Sequence, residues 1–401
     1  MNRDDFPILK RSWSGRTLVY FDNAATSQKP QTVIKAVFNY YRRHNSNVHR
    51  ALNPLAEEAT KYYEEARIKI ANFIGADSDE IIFTRGATEG INLVARSWGE
   101  ENLKRGDLVI LTIAEHHANL VPWLQLKKRL GIDIAYIELK KDGSLDLTKA
   151  KSLISDPRAK LIAVTQASNV LGIINPLDKL LGWAKKNGLA SLVDASQTAA
   201  HLDLNFKELD CDFLVFSGHK LGGPTGLGVL AGKRNILTLM PPFLGGGDMI
   251  NEVHQDSFTS AEVPYRFEAG TPHIAGVIGL GAAIDYISNL SWKKIIKEEQ
   301  VLTQYFLKVL STHPFVRLIG RSDLRLPIFS LVIDGLHPHD AADLLGRAGI
   351  MLRAGFHCSQ PLHEYLSCGP TLRVSLSFYN TKEEIDYFFE KLTDLYRSFS
   401  A

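Results

Sequence analysis

The stretch Phe213-Leu214-Val215-Phe216-Ser217-Gly218-His219-Lys220 decides how the rest of this chain is interpreted. The apolar residues 213–216 begin this stretch, and the glycine-rich residues 221–226 follow Lys220. A short apolar run bounded by turn residues predicts a buried strand. A lysine at the end of such a strand has its stem in an apolar wall. Desolvation there lowers the lysine pKa and makes the amine a nucleophile toward an aldehyde. For a lysine taken alone, a snorkelling surface position is the commoner arrangement.

The end of a second predicted strand favours a reactive Lys220 over a snorkelling surface lysine. The run Ser191-Leu192-Val193-Asp194 is also apolar, and it ends in a carboxylate. Pyridoxal phosphate (PLP) requires an amine that forms a Schiff base and a carboxylate that keeps the pyridine nitrogen protonated. Lys220 and Asp194 together therefore predict a PLP site.

Outward from these two strands, short β-rich runs alternate with amphipathic helical patterns. The runs lie at residues 80–84, 108–112, 134–137 and 161–165, and helical patterns such as 56–73 and 120–130 separate them. This alternation predicts an α/β fold with a mostly parallel sheet and helices on both faces. Such sheets bind ligands outside the carboxyl ends of their strands, which is where Asp194 and Lys220 fall.

The pattern changes beyond residue 285. A long charged helical pattern at 292–312 leads into a strand-like run at 327–333, a helix at 340–348 and a last amphipathic helix from Thr381. A chain of 401 residues is long enough for two domains. We predict an N-terminal arm at 1–20 that packs on the small domain, a large PLP-binding domain at 21–285, and a smaller α+β domain at 286–401.

Composition narrows the class of protein. The chain is 45% hydrophobic and 22% charged, as is ordinary for a globular protein, and its formal charge of +2 does not favour nucleic acid as a partner. The apolar stretch at 274–284 is too short for a membrane span, and the N-terminus lacks the apolar core of a signal peptide. Three cysteines do not form a disulfide framework, so we expect a cytoplasmic protein with reduced thiols and no membrane partner.

Residues 84–92 join a strand to a helix and predict an anion site. Small residues let backbone N–H groups approach a phosphate, and Thr88 adds a hydroxyl. A plain capped turn explains the same pattern, and the spacing does not match a dinucleotide-binding fingerprint. Ser217 and His219 are close enough to Lys220 to contact the same phosphate.

A histidine pair follows the strand at 108–112. In Glu115-His116-His117-Ala118-Asn119, a histidine at the carboxyl end of the strand can stack on an aromatic cofactor and relay protons near neutral pH. The spacing does not decide between His116 and His117.

The segment Arg353-Ala354-Gly355-Phe356-His357-Cys358-Ser359-Gln360-Pro361 predicts a reactive thiol in the small domain. A histidine and an arginine near Cys358 favour the thiolate, which is the nucleophilic form. Cys211, in Leu209-Asp210-Cys211-Asp212, better fits an inert buried cysteine. A metal site built from His357, Cys358, His363 and Cys368 is the alternative, although its spacing matches no compact zinc pattern, and we predict no metal.

Arg373 alternates with apolar residues in the run Thr371-Leu372-Arg373-Val374-Ser375-Leu376. An arginine among core-facing neighbours usually holds an anion, and its planar fork suits a substrate α-carboxylate. An internal salt bridge is the alternative, for which the sequence suggests no partner.

Taken together, these motifs resemble the group II cysteine desulfurases, PLP enzymes of the class V aminotransferase group that also act as selenocysteine lyases. The resemblance runs nearly end to end and rests on the segments already quoted and on four more: Tyr20-Phe21-Asp22-Asn23-Ala24-Ala25, Asn47-Val48-His49-Arg50, Ser168-Asn169-Val170-Leu171-Gly172 and Phe267-Glu268-Ala269-Gly270-Thr271-Pro272. The short loop before Cys358 is similar to the group II form. Phe356 departs from the family, where a polar residue, often histidine, is usual.

The resemblance implies a role for each matching residue. Lys220 would carry the cofactor, and Cys358 would attack the substrate sulfur. Asp194 would hold the pyridine nitrogen of the cofactor, Gln197 its ring oxygen and His116 its ring face. The phosphate would be bound by Thr88, Ser217 and His219, and by Thr271 from the second subunit of a homodimer. Substrate binding would fall to Arg373, Asn169 and His49.

The function that the resemblance implies is that of a fold-type-I PLP enzyme acting on L-cysteine. It would form L-alanine and a persulfide on Cys358, and a sulfur-acceptor protein would take the sulfur for iron–sulfur cluster assembly; selenocysteine lyase activity is also implied. Two alternatives stay open. A kynureninase-like hydrolase or an aminotransferase would need Lys220 and Asp194 but not Cys358, and a non-catalytic Cys/His metal- or sulfur-binding scaffold would not need Lys220.

Overall fold

A seven-stranded sheet carries the predicted site in the computed structural model, which describes residues 3–13, 15–50 and 52–400. The strands are β1 (Ile81–Thr84), β2 (Leu108–Thr112), β3 (Asp133–Ile137), β4 (Ala159–Thr165), β5 (Ala190–Asp194), β6 (Phe213–Ser217) and β7 (Gly228–Gly232). They are ordered β1-β7-β6-β5-β4-β2-β3 across the sheet. Strands β2 to β6 run parallel to one another, and β7 runs antiparallel to both of its neighbours. The predicted mostly parallel α/β sheet is confirmed.

Helices cover this sheet and the region that follows it. In chain order they are α1 (Gln31–Asn39), α2 (Pro54–Ile74), α3 (Ala87–Leu93), α4 (Gly99–Asn102), α5 (Val121–Leu130), α6 (Leu147–Ile154), α7 (Leu177–Lys186), α8 (Phe206–Leu209), α9 (Arg234–Leu237), α10 (Ile274–Leu290), α11 (Trp292–Leu310), α12 (Pro338–Arg347), α13 (Gln360–Leu366) and α14 (Lys382–Ser400). The long predicted helices agree with α2, α5, α11, α12 and α14 to within three residues at each end.

Both faces of the large sheet are buried. In β1, Ile81 and Phe83 pack in one apolar core and Ile82 packs in the other. In β5, Val193 packs in the first of these cores and Leu192 packs in the second. Because each strand is covered on both sides, the sequence shows continuous apolar runs instead of alternation between apolar and polar residues.

A smaller antiparallel sheet follows. Its strands are β8 (Val316–Ile319), β9 (Ile328–Ile333), β10 (Arg353–Gly355) and β11 (Thr371–Ser375), ordered β8-β9-β11-β10. Helices α11, α12 and α14 pack beside it, and Phe306 stacks on Phe329 with ring centroids 4.0 Å apart. This is the α+β arrangement predicted for residues 286–401, and β11 brings Arg373 to the site.

The predicted N-terminal arm includes residues 1, 2 and 14, which lie outside the described residues. Within its described part, Phe6 and Leu9 pack against Tyr379, and Arg3 forms an ion pair with Glu384 at 2.7 Å. The predicted boundary between residues 285 and 286 falls inside α10, and the domain limits stay predictions.

The described part of the chain contains no single helix that is long and apolar enough to cross a membrane. Only α10 and α11 taken together reach that length and composition, and they are bent by 79° where they meet.

Candidate active site

A cavity of about 170 Å³ lies at the carboxyl ends of β2, β4, β5 and β6, where the small sheet packs over the large one. Most of the residues predicted for the site line this cavity. They are Thr88, His116, Asn169, Asp194, Gln197, Ser217, His219, Lys220, Cys358 and Arg373, joined by Ala24, Ala25, Ala87, Ala118, Thr165, Ser196, Arg353 and His357.

Lys220 ends the short turn Gly218–Lys220 that directly follows β6. Burial lowers the pKa of Lys220 to about 8, and the positive charge of Arg373 adds to this effect while Asp194 and Cys358 oppose it. A share of the amine is therefore unprotonated near neutral pH, as a nucleophile toward an aldehyde requires.

Asp194 is the last residue of β5 and is 4% exposed. Its Oδ1 accepts a hydrogen bond from Ser196 N at 2.9 Å, which orients the carboxylate at the cavity wall. Beside it, Gln197 Nε2 donates to Ala24 O at 3.0 Å. The carboxylate and the amide thus both line the cavity that Lys220 also lines.

The predicted anion site is built where β1 meets β7. An added Cβ on Gly228 would lie 2.4 Å from Gly86 Cα, so only glycine permits this close approach. The approach brings Ala87 N to 2.9 Å from Ser217 Oγ, to which it donates a hydrogen bond. The Ser217 hydroxyl, Thr88 and His219 are thereby gathered at one end of the cavity.

The two neighbouring histidines have different positions. His116 lines the cavity, and its Nδ1 accepts a hydrogen bond from Ala118 N at 3.0 Å. Burial, with the charge of Lys220, lowers the pKa of His116 to about 3, so the ring is neutral and Nε2 carries its proton. His117 instead contacts the cysteine loop, where its Nε2 accepts from Gln360 N at 3.1 Å. The structure therefore brings His116 to the cavity and not His117.

The three cysteines have three different environments, and all are free thiols. Cys358 is exposed and lines the cavity. Cys211 is fully buried, and burial raises the pKa of its thiol, as expected for an inert core cysteine. Cys368 is intermediate in exposure, and its Sγ lies against the carbonyl oxygens of His363 and Gly369. Of the three thiols, Cys358 is the one that faces Lys220.

Arg373 has a protein partner that sequence analysis did not find. Its Nη2 donates to Asp22 Oδ1 at 3.0 Å, and Asp22 Oδ2 accepts from Arg353 Nε at 3.2 Å. A second donor, Nη1, binds Asn169 O at 3.1 Å. Arg373 Nε is buried without a hydrogen-bond partner among the described residues. Burial lowers the pKa of Arg373, and the carboxylate of Asp22 opposes this.

Glu115 is a further residue without a predicted role. Its carboxylate accepts hydrogen bonds from Thr112 Oγ1 at 2.6 Å, Thr165 N at 3.0 Å and Asn119 Nδ2 at 2.7 Å. Burial raises the pKa of Glu115 to about 7, and the charge of Asp194 acts in the same direction. These bonds tie the His116 turn to β4 beneath the cavity. Both Asp22 and Glu115 lie in quoted motifs, but nothing in the local pattern indicates their distant partners.

Two predicted site residues do not line this cavity. His49 is exposed, and its Nε2 lies 2.8 Å from Glu64 Oε1. It borders a separate depression that also includes Gly270 and Pro272, the neighbours of Thr271, which is itself exposed. His49 and Thr271 therefore share one surface region outside the cavity of their own chain.

The cavity fits PLP by the chemistry of its groups. It offers a desolvated amine, a buried carboxylate for a pyridinium nitrogen, a neutral imidazole ring, and hydroxyl and N–H groups at one end for a phosphate. The metal alternative gains no support, since the described residues hold no group of three or more His, Cys, Asp or Glu side chains arranged for a metal ion.

Comparisons with known sequences identify the family of this chain. The family described as Aminotransferase class-V matches residues 19–388. The chain is 47% identical to a protein of Synechocystis sp. described as a probable cysteine desulfurase, over 99% of this chain and 96% of that protein. It is 45% identical to a cysteine desulfurase of Salmonella agona, over 98% of this chain and 97% of that protein.

Solved structures give the same result. The apo structure of a cysteine desulfurase from Thermococcus onnurineus NA1 matches with a TM-score of 0.94 and 40% identity, covering 99% of this chain and 97% of the other. The cysteine desulfurase CsdA from Escherichia coli matches with a TM-score of 0.91 and 38% identity, covering 99% and 98%. With matches over nearly its whole length and a cavity suited to the cofactor, the chain belongs to the class-V aminotransferase family of PLP-dependent enzymes.

Proposed function

We propose that this protein is a cysteine desulfurase that converts L-cysteine to L-alanine and keeps the sulfur as a persulfide on Cys358. One observation carries the proposal: Cys358 lines the same cavity as Lys220 and Asp194. A kynureninase-like hydrolase or an aminotransferase needs the lysine and the aspartate but has no use for a thiol at that position. The relatives described as cysteine desulfurases, which match over nearly the full chain, add support.

Lys220 and Asp194 serve the first half of the reaction. When bound, PLP supplies an electron sink for the negative charge that develops at the substrate Cα. Asp194 holds a negative charge beside the ring nitrogen and so favours its protonated form. Lys220 Nζ, once free, takes the Cα proton, and its lowered pKa suits both uptake and return of that proton near neutral pH.

Arg373 lines the cavity and supplies a positive charge that binds the substrate carboxylate. Asp22 and Asn169 O engage Nη2 and Nη1 and keep the guanidinium plane in place. Arg353, which is partly exposed and shares Asp22, stands at the mouth as a second positive charge.

Cys358 serves the second half. Its Sγ attacks the substrate sulfur, a sulfur–sulfur bond forms, and the substrate Cβ–S bond breaks with its electron pair staying on the carbon skeleton. That skeleton takes up a proton and leaves as alanine, so cysteine and one protein thiol give alanine and one persulfide. His116 lines the cavity, and its Nε2–H is placed to donate a hydrogen bond to the substrate in this step.

A homodimer completes the phosphate site. Thr271 and His49 are exposed and lie together outside their own cavity, which supports a role for them in the cavity of a second copy. Apolar side chains on α1 and α2 are also exposed, including Phe38 at 56% and Ile68 at 50%, and a second copy would cover them.

Sulfur transfer to an acceptor protein for iron–sulfur cluster assembly completes the proposal, and selenocysteine serves as an alternative substrate. The resemblance to group II cysteine desulfurases supports both. Phe356, 40% exposed beside Cys358, offers an apolar contact to an acceptor that brings its own thiol to the loop.

The test is mass spectrometry of the PLP-loaded protein after incubation with L-cysteine, together with an alanine assay. We expect one added sulfur on the peptide that contains Cys358, one equivalent of alanine in the first turnover, and slow further turnover until a thiol reductant or acceptor removes the sulfur. Alanine formation without a sulfur adduct on Cys358 would favour one of the other PLP enzymes.

A further inference from the structure

The loop that carries Cys358 has an unfavourable backbone. His357 and Cys358 have φ angles of 49° and 57°, in the left-handed region that residues other than glycine seldom adopt. Two such residues in succession persist only where their surroundings hold them. The contacts that hold residues 357–360 therefore decide where the Cys358 thiol points.

Asn169 holds the loop on both sides of Cys358. Its Nδ2 donates to His357 O at 2.7 Å, and its Oδ1 accepts from Ser359 Oγ at 3.2 Å. A carbonyl oxygen can only accept, so the first bond fixes which end of the amide faces which residue. All three residues are buried, with Ser359 fully so.

His117 holds the same loop from another segment of the large-sheet region. Its backbone N donates to Cys358 O at 2.7 Å, and its Nε2 accepts from Gln360 N at 3.1 Å. Each residue of 357–360 thus has one hydrogen bond to either Asn169 or His117. We call this pair of residues the loop clamp.

We propose that the loop clamp is a positioning device that holds the Cys358 thiol toward the substrate sulfur. This inference rests on the proposed desulfurase function. It assigns His117, to which we gave no role in the reaction, and it changes the main role of Asn169 from substrate binding to control of the nucleophile loop. Both polar atoms of the Asn169 side chain are engaged by the loop, and its backbone O is engaged by Arg373.

The clamp acts on one step. Persulfide formation requires Sγ to approach the substrate sulfur along the bond that breaks, and a displacement of about 1 Å in such a geometry lowers a rate by about 100-fold. Binding of cysteine precedes that step and does not require the thiol. Loss of the clamp is therefore expected to lower the rate of alanine formation in a single turnover and to leave KM and PLP absorbance nearly unchanged.

The experiment compares Asn169→Ala, His117→Ala and Ser359→Ala with the wild-type holoenzyme. Single-turnover alanine formation, KM for cysteine and the rate of Cys358 alkylation by iodoacetamide without cysteine are measured. Ser359 is the sharpest position, because it is fully buried and its hydroxyl contacts Asn169 but does not line the cavity. Glu364→Ala is the matched control, since Glu364 is exposed on α13, directly after the loop, and its side chain accepts a hydrogen bond from the Gln360 side chain instead of from Asn169 or His117.

We expect single-turnover rates about tenfold or more below wild type for Asn169→Ala and smaller losses for the other two variants. Cys358 alkylation should become faster in all three, and Glu364→Ala should match wild type. A higher KM for Asn169→Ala with unchanged single-turnover and alkylation rates would overturn the proposal, because Asn169 would then act on the substrate alone.

Two further outcomes are also decisive. If Asn169→Ala does not fold, wild-type alkylation rates in both Ser359→Ala and His117→Ala overturn the proposal, and faster alkylation supports it. If the wild type forms no alanine from cysteine, the proposed function fails, whereas the alkylation comparison still reports on the clamp.

Discussion

Lys220 and Cys358 face one cavity but are held there in opposite ways. Lys220 ends the short turn after a central buried strand, and its position follows from the sheet that surrounds β6. Cys358 is itself exposed, in a loop with a left-handed backbone, and side chains from distant segments hold that loop. The proposed cofactor-binding lysine is thus part of the sheet framework, whereas the proposed nucleophile lies in a loop that contacts from other segments hold in place.

This difference separates two kinds of residue at the site. Changes at the strand ends should remove cofactor chemistry altogether. Changes at the loop should leave the cofactor in place and affect only sulfur transfer. Mutations on the two sides therefore have different spectroscopic results as well as different rates.

The largest effect is expected for Lys220→Ala. Turnover should be abolished and the visible absorbance of lysine-bound PLP should be lost, because Lys220 is the amine that faces Asp194 in the cavity. Lys29 is a demanding control, since burial lowers its pKa to about 8 as well, yet its Nζ donates to Ser27 O and His219 O outside the cavity. Lys29→Arg should keep the absorbance. Retained absorbance and activity in Lys220→Ala would disprove the cofactor assignment.

Cys358→Ala should come next in magnitude. Sulfide release and persulfide formation should collapse, while PLP absorbance and its change on addition of cysteine persist, because the thiol acts after substrate binding. Cys368→Ala is the matched control, and its sulfide assay should match wild type. Normal turnover in Cys358→Ala combined with loss in Cys368→Ala would transfer the nucleophile role to Cys368.

Arg373→Ala tests a residue that both regions share. A charge-assisted contact to a carboxylate contributes on the order of 1.5–3 kcal/mol, which corresponds to roughly 10- to 150-fold in kcat/KM. Arg373→Lys should recover only part of the loss, since a lysine has no planar fork. Arg353→Ala, at a partly exposed position, should cost less. The opposite ranking of Arg353→Ala and Arg373→Ala would locate the substrate carboxylate at Arg353.

The smallest effect concerns the pH dependence of cofactor uptake by the apoprotein. Burial lowers the pKa of Lys220 to about 8 from an ordinary value of 10.5, so the reactive amine is lost as pH falls through 8. The rate of PLP uptake, followed by absorbance, should rise about tenfold from pH 6 to pH 7 and level off above pH 8. A rate that continues to climb toward pH 10 would show that the amine is not desolvated.

The strand-end residues could be predicted because local pattern places them. Apolar runs bounded by turns predict strands, and parallel strands end at one edge of the sheet, so Lys220, Asp194 and the 115–119 motif converge there without knowledge of any contact. The same reasoning predicted strand-like runs and long helices in a smaller α+β region, and the periodicity of those helices is strong. The sequence pattern did not distinguish His116 from His117, because the side chains of adjacent residues at a turn point in different directions and sequence spacing does not reveal which one enters the cavity.

The contacts around Arg373 and Cys358 depend on tertiary structure. Asp22 and Arg373 are separated by 351 positions and Asn169 and His357 by 188, and nothing in either local stretch encodes the pairing. Asn169 matched a known motif, yet its hydrogen bonds to the cysteine loop form only when the small sheet packs over the large one. The sequence by itself determined the sheet and the positions of Lys220 and Asp194 at its strand ends, because periodic burial is a local property. Tertiary packing alone decided how the nucleophile and the arginine are held, because a buried hydrogen bond forms only between groups that the folded chain brings together.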